Sequence, residues 1–316
     1  MKTSKALDFF GGSENITRKF LIQAGIYFSF WSIVHVKNIF VDFVDDRTKL
    51  FTAITGAFIF FQAIIFMKTV SFCTRLDSVK VLKAKILQDA AKTTKEEMKI
   101  ERRYRKFTRV LIVATASIYF FTIVLALMWE LIFIRQMVMM IRMQMPWTLP
   151  DEHPSHEINL FMMFSWQVVT LIVLVGYESF FYLVTFHCVA KMSVCCFDAM
   201  KIDGKTDEKS ISDLVNKHLH VLELIEISAK IFNPICFHQL FTTFGLLCEK
   251  FQESLYCSKW YEIESVKSKK KILFMLMMAQ RRKEYSVLGV KPLNLQTYAD
   301  VVKQAYTFLN ILLGAL

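Results

Sequence analysis

Several familiar chemistries are missing from this chain. Its seven cysteines show no Cys-x-x-Cys spacing paired with histidine, which argues against a zinc site. It has no phosphate-binding glycine loop and no dinucleotide fingerprint. No ten-residue alternating segments occur, so a transmembrane barrel is excluded. Internal repeats and paired broken helices are absent, which argues against a transporter. No cleavable leader is evident, because the first apolar block is too long and lacks a small-residue cleavage site; it reads as an anchor. Glycine and proline are scarce, at 9 and 5 in 316 residues.

What the chain has is apolar mass: 54% hydrophobic residues, including 30 Phe. Soluble domains average roughly 45–50% apolar even with glycine counted. The excess is gathered in blocks, so the expected fold is an all-α, polytopic helical membrane protein. The net charge of +11 raises nucleic acid as a partner. Its location excludes that reading, because the basic residues sit in loops between apolar blocks, where they orient a membrane protein.

Five apolar blocks span residues 20–41, 50–72, 110–134, 158–189 and 231–248, and a sixth covers 297–316. Charges inside them lie near the ends: Lys37, Lys68, Glu130 and Glu178. Long lysine side chains there can snorkel to the interface. Residues 1–19 carry four basic and two acidic residues, and 42–49 carry two and three. Residues 73–109 carry 12 and five, and 135–157 carry two and three. This alternation places the N-terminus in the cytoplasm. It also puts the sequon at Asn15-Ile16-Thr17 on the wrong side for glycosylation. Residues 191–230 are nearly balanced, fall inside, and contain an amphipathic helix over 214–228, with cytoplasmic extensions of the spans expected.

The alternation then breaks. Residues 249–296 carry ten basic and five acidic residues, which places them in the cytoplasm. Five crossings from a cytoplasmic N-terminus would place them outside. Either 231–248 does not cross, or a span is absent between Cys248 and Trp260. The expected organisation is a cytoplasmic N-terminus at 1–19, five spans with their loops at 20–248, a basic cytoplasmic-type anchor segment at 249–296 and a C-terminal pore-type helix at 297–316.

The last block is about the length that crosses a bilayer core of roughly 30 Å. Asp300, Gln304, Thr307 and Ile311 share one helical face. Polar groups within hydrocarbon face protein or water. The stripe either lines a pore or packs in a bundle, and the pattern alone favours packing.

No enzyme signal stands. His187 with Cys188 reads as ordinary packing rather than a nucleophile pair. His218 and His220, two residues apart, do not share a helical face. His153 and His156 with Asp151, Glu152 and Glu157 read as a solvated loop before a cation site. Cys195-Cys196 reads as buried or inert thiols before a lipidated pair. Glu178 is a hydrated or paired group, or an intramembrane functional acid. No cofactor and no metal are expected.

The tail carries further motifs in a fixed order. Ser254-Leu255-Tyr256 precedes Ser258-Lys259-Trp260-Tyr261 and a basic-apolar run ending Ala279-Gln280-Arg281. Pro292-Leu293-Asn294-Leu295-Gln296-Thr297-Tyr298 and Ala305-Tyr306-Thr307-Phe308-Leu309 follow. This order resembles the insect odorant receptors, seven-span proteins with a cytoplasmic N-terminus. Ile231-Phe232-Asn233-Pro234, with Gln239 and Cys248, is similar to the family's fifth span. Family members have a sixth span before the Tyr-x-x-x-Trp element, whereas here Cys248 runs almost directly into Glu249-Lys250-Phe251. The resemblance therefore implies an odorant-receptor-like bundle with six evident spans instead of seven.

The resemblance further implies a tuning subunit of a ligand-gated, nonselective cation channel. Such a subunit detects small volatile odorants as part of a heterotetramer with a shared co-receptor, in the plasma membrane of sensory neurons. Membrane lipids would be the other partners, and nucleic acid none. Alignment with the family's last helix puts Ile311 at a hydrophobic gate, which closes a pore by dewetting. Gln304, Thr307 and Asn310 then face the pore. The odorant pocket would draw on Tyr119, Met128, Trp129 and Phe133 of the third span. The fourth span would supply Phe161, Met162, Phe164, Ser165 and Trp166. An interfacial aromatic belt is the competing reading of those residues. Two other functions stay open: a truncated, non-conducting isoform, dominant-negative or non-functional, and a gustatory-type receptor channel. The second is disfavoured, because Thr297-Tyr298 continues as Ala299-Asp300 with no Gln-Phe ending.

Overall fold

A computed structural model describes residues 65–72, 74–92, 94–133, 153–232, 250–280, 286–287 and 291–292. It also describes 19, 22–23, 25–27, 29–31, 33–34, 303 and 307, all helical. The main helices are α1 (Leu76–Lys92), α2 (Lys95–Phe133), α3 (Ser155–Met200), α4 (Glu208–Phe232) and α5 (Val266–Gln280). The all-α expectation holds; the β structure among the described residues is a two-residue antiparallel ladder, Ser286–Val287 against Lys291–Pro292.

The helix starts are set by local chemistry. At α2 the Thr94 N–H donates to Glu97 Oε2 at 3.0 Å, and the Glu97 N–H donates back to Thr94 Oγ1 at 3.4 Å. This reciprocal capping box satisfies two donors the first turn leaves open. Ser265 Oγ accepts from the Ser268 N–H at 3.3 Å and starts α5 the same way. Between α3 and α4, Asp203 Oδ1 accepts from the Lys205 N–H and the Thr206 hydroxyl, fixing the turn. Gly204 in that turn lies where an added Cβ would meet Glu262 Cβ at 3.2 Å. The residue is glycine because the Trp260–Glu262 3₁₀ turn approaches it closely.

Helices α2 and α3 outrun the apolar blocks that announce them. The block expected over 110–134 begins at Lys95, and the one over 158–189 ends at Met200. The amphipathic stretch 214–228 is the middle of α4, whose buried residues include Ile211, Leu214, Val221, Leu222, Ile225 and Ala229. Two of these helices, over Glu96–Leu125 and Ser155–Met200, are long and apolar enough to cross a membrane.

The chain divides into two compact units. Unit 1 holds Leu111–Phe180 with the described residues up to Thr74. Its core is one cluster of Trp31, Val34, Met163 and Trp166, and another of Ile65 and Leu174. Unit 2 holds Arg75–Val110 and Phe181–Thr307. There α4 packs against both α1 and α5. Phe181 meets Phe232 edge-on at 5.2 Å.

Candidate functional site

The fourth-span candidates lie on α3 but not on one face. Trp166 is 1% exposed, tilted against Trp31 at 6.5 Å. Met162 packs partly buried against the same cluster, and Ser165 is half-buried beside it. The Ser165 hydroxyl lies 3.3 Å from the Tyr27 hydroxyl and donates to the Met162 carbonyl at 2.8 Å. Phe161 and Phe164 are exposed. At about 100° per residue they project opposite to Met163, Trp166 and Thr170.

The third-span candidates also divide. Tyr119 packs half-buried against the Ile65–Leu174 cluster, apart from the one around Trp166. Met128 is exposed. Trp129 and Phe133 lie on α2, with side chains outside the described residues. Of the last-block candidates, Thr307 is helical and exposed, its hydroxyl donating to the Lys303 carbonyl at 2.8 Å. Gln304, Asn310 and Ile311 lie outside the described residues.

Sequence reasoning overlooked two groups here. Tyr27 and Trp31 join the Trp166 cluster, with Tyr27 edge-on to Trp31 at 5.9 Å. Gln167 and Thr170 sit on the buried face of α3. Gln167 Oε1 and Thr170 Oγ1 have no hydrogen-bond partner among the described residues. Their position inside an apolar block was the available signal, because buried polar groups in hydrocarbon are costly.

Lys68 is paired with an acid of α3. Its ammonium lies 2.5 Å from Glu178 Oε1, with the two side chains 12% and 8% exposed, and 5.1 Å from the centre of the Tyr177 ring. Glu178 is the paired group that one of the sequence readings allowed. Phe72 completes this patch, edge-on to Tyr177 and Phe180.

Unit 2 is dominated by ion pairs. Asp89 accepts from His187 Nε2 at 3.0 Å and His220 Nε2 at 2.8 Å. Burial by itself would raise the Asp89 carboxyl. The His187 hydrogen bond and the charges of His220, His187 and Lys191 outweigh it and hold the group below the usual carboxylate range. Lys217 bridges Glu97 and Asp198, each at 2.8 Å. Burial would lower its pKa, but the two carboxylates raise it. Glu208 accepts from Lys267 and Lys271, which pull its carboxyl down to about 2. His218, 1% exposed, stacks on Phe251 at 4.3 Å. Burial pushes its imidazole down to about 4. His153 pairs with Glu157 four residues on, and no metal-holding group occurs among the described residues.

The model of the family described as 7tm odorant receptor matches residues 49–250 and 247–306. No curated protein matches the chain. The match takes in both membrane-length helices, the α3 side of the aromatic clusters of unit 1, the ion-pair network and the tail motifs through Tyr306. It covers most of the sequence, and on it this chain belongs to the 7tm odorant receptor family, membrane receptors of olfaction.

Proposed function

We propose that this chain is the odorant-sensing subunit of a heteromeric, ligand-gated, nonselective cation channel. It assembles with a shared co-receptor in the plasma membrane of sensory neurons, multi-pass and with a cytoplasmic N-terminus. The observation that carries this reading is the family match over both 49–250 and 247–306, the second stretch holding the tail motifs. Family membership supports a small volatile ligand, and such ligands need an apolar cavity with few polar anchors. Among the pocket candidates, Met162, Ser165 and Trp166 share one packed neighbourhood and Tyr119 occupies another. Tyr27 and Ser165 offer hydroxyls there, and Gln167 and Thr170 are further candidate anchors. Trp129 and Phe133 remain candidates by position on α2. Gln304, Thr307, Asn310 and Ile311 form the proposed pore face, with Ile311 the gate.

The domain organisation follows: spans and loops over 20–248, a basic anchor segment over 249–296 and the pore helix over 297–316. A truncated, non-conducting isoform is favoured by one specific observation. The family match falls in two pieces that meet at residues 247–250, where the charge alternation also breaks.

Co-expression with a co-receptor and current recording against a panel of volatiles tests both readings. The channel reading expects odorant-evoked current whose amplitude or ion selectivity changes in Ile311→Ala. A surface-expressed Ile311→Ala variant with unaltered currents removes that gate. A surface-expressed wild type that evokes no current and suppresses its partner's current replaces the channel reading with the truncated one.

A further inference from the structure

The membrane end of α2 carries its charges on two opposed faces. At about 100° per residue, Glu97, Glu101, Tyr104 and Thr108 lie along one side. All four are buried or half-buried. Glu97 meets Lys217 at 2.8 Å, Glu101 meets Lys191 at 2.9 Å, and the Tyr104 hydroxyl lies 2.8 Å from that of Ser193. Lys99, Arg102, Arg103, Lys106 and Arg109 fall within about 120° on the opposite side. All five are exposed.

Several lysines elsewhere in unit 2 are neutralised: Lys85 by Glu223, Lys191 by Glu101, Lys217 by Glu97 and Asp198, and Lys267 and Lys271 by Glu208. Among the described residues Arg103, Lys106 and Arg109 have no carboxylate partner, and Arg102 donates only to the Met98 sulfur. The same helix face then turns apolar, with Val110, Val113, Phe120 and Phe121 all exposed. A basic strip that gives way to an exposed apolar strip along one helix matches the boundary between headgroups and hydrocarbon. Arg102 to Arg109 rises about 10 Å, comparable to a headgroup layer of roughly 5–8 Å once long side chains are allowed to reach.

We propose that Arg102, Arg103, Lys106 and Arg109 form a docking surface for anionic phospholipid headgroups of the cytoplasmic leaflet. The guanidinium forks take phosphate oxygens bidentately, and Lys106 contributes a point charge. Juxtamembrane clusters of this size draw anionic lipid strongly, and the attraction fades within a Debye length. The inference rests on the proposed cytoplasmic placement of residues 73–109.

The test is lipid selectivity of the full chain in nanodiscs, read as the association of spin-labelled phosphatidylserine relative to phosphatidylcholine. Wild type is expected to favour phosphatidylserine by about fivefold or more in about 0.1 M salt. The preference should collapse in about 1 M salt, where the screening length drops to about 3 Å. The triple variant Arg103→Ala, Lys106→Ala, Arg109→Ala is expected to lose the preference. Lys205→Ala, Lys209→Ala, Lys270→Ala, with the same charge change on exposed side chains elsewhere, keeps it. No preference in wild type, a preference indifferent to salt, or equal loss in both triple variants overturns the proposal. No preference in wild type would leave the face to an acidic protein. Symmetric nanodiscs offer the same lipid to both ends, so misplaced sidedness does not alter the readout. An epitope tag near Lys85, probed on intact cells, reports sidedness separately.

Discussion

In unit 1, Lys68 pairs with Glu178 over the Tyr177 ring, Glu178 Oε2 has no partner among the described residues, and α3 buries Gln167 and Thr170 beside Trp166. In unit 2, Asp89, Glu101, Lys217 and Glu208 each touch two partners. The difference follows the surroundings. Where the flanking sequence is apolar, a charge persists only if matched, and removing one partner leaves the other stranded. Where the helices carry many charges, each ion keeps a second partner when one is removed, so any single pair contributes less. A single substitution should therefore cost far more in unit 1 than in unit 2.

The largest expected effect tests that claim directly. Glu178→Gln should destabilise the protein by about 3–5 kcal/mol, read as a lower thermal midpoint in nanodiscs, because it strands the Lys68 ammonium. The double variant Lys68→Met, Glu178→Leu should recover most of that loss. If Glu178→Gln is neutral, water or other neighbours already solvate Lys68, and the contrast between the units fails.

His218 is the place where unit 2 behaves like unit 1. It is buried on Phe251, and both ring nitrogens lack a hydrogen-bond partner among the described residues. Its folded pKa of about 4 lies below the ordinary 6.5. The unfolded chain therefore binds the extra proton first, and stability falls as pH drops from 6.5 toward 4, then levels off. The full drop is about 3 kcal/mol. His218→Leu should flatten the unfolding midpoint across that window. A variant that keeps the wild-type slope would assign the acid sensitivity to other groups.

Much of this was legible in the sequence, and the limits have physical causes. The long, mostly apolar run of residues 158–189 announces a helix whatever packs on it. Its continuation to Met200 does not, because Lys191 and Asp198 look like loop residues until Glu101 and Lys217 are seen to pair with them. The start of α2 was marked by Thr94 and Glu97, a local signal overshadowed by the surrounding charge. His187, Asp89 and His220 lie 98 and 131 residues apart along the pairs they form, so no spacing rule brings them together. The aromatics near residues 161–166 were legible as a group. Which of them point inward was not, since it depends on the Trp31 helix they meet.

The Asp89 carboxylate with His187 and His220 gives the intermediate case. Asp89→Asn keeps the size of the side chain and removes the charge that two imidazoles share. The expected loss is about 1–3 kcal/mol, the range for a hydrogen bond to a charged group at a half-buried site. The loss should stay below that of Glu178→Gln measured side by side. An equal loss would mean that unit 2 tolerates stranded charge no better than unit 1.

Glu208 marks the other end of the comparison. Its carboxyl sits at about 2, because Lys267 and Lys271 both donate to it. The sign is that of a depressed carboxylate: its contribution is present above pH 4.5 and disappears as pH falls toward 2. Yet the site is solvent-exposed, and an exposed ion pair gains little from a lysine that water and salt already satisfy. Glu208→Gln should therefore leave the thermal midpoint unchanged within error at about 0.15 M salt, with a small decrease visible only near 0.01 M, where the screening length reaches roughly 30 Å. A clear loss at the higher salt would show that Glu208 clamps the start of α4 to α5 as an essential contact, and that a lowered pKa at an exposed site can carry as much weight as the buried pair of unit 1.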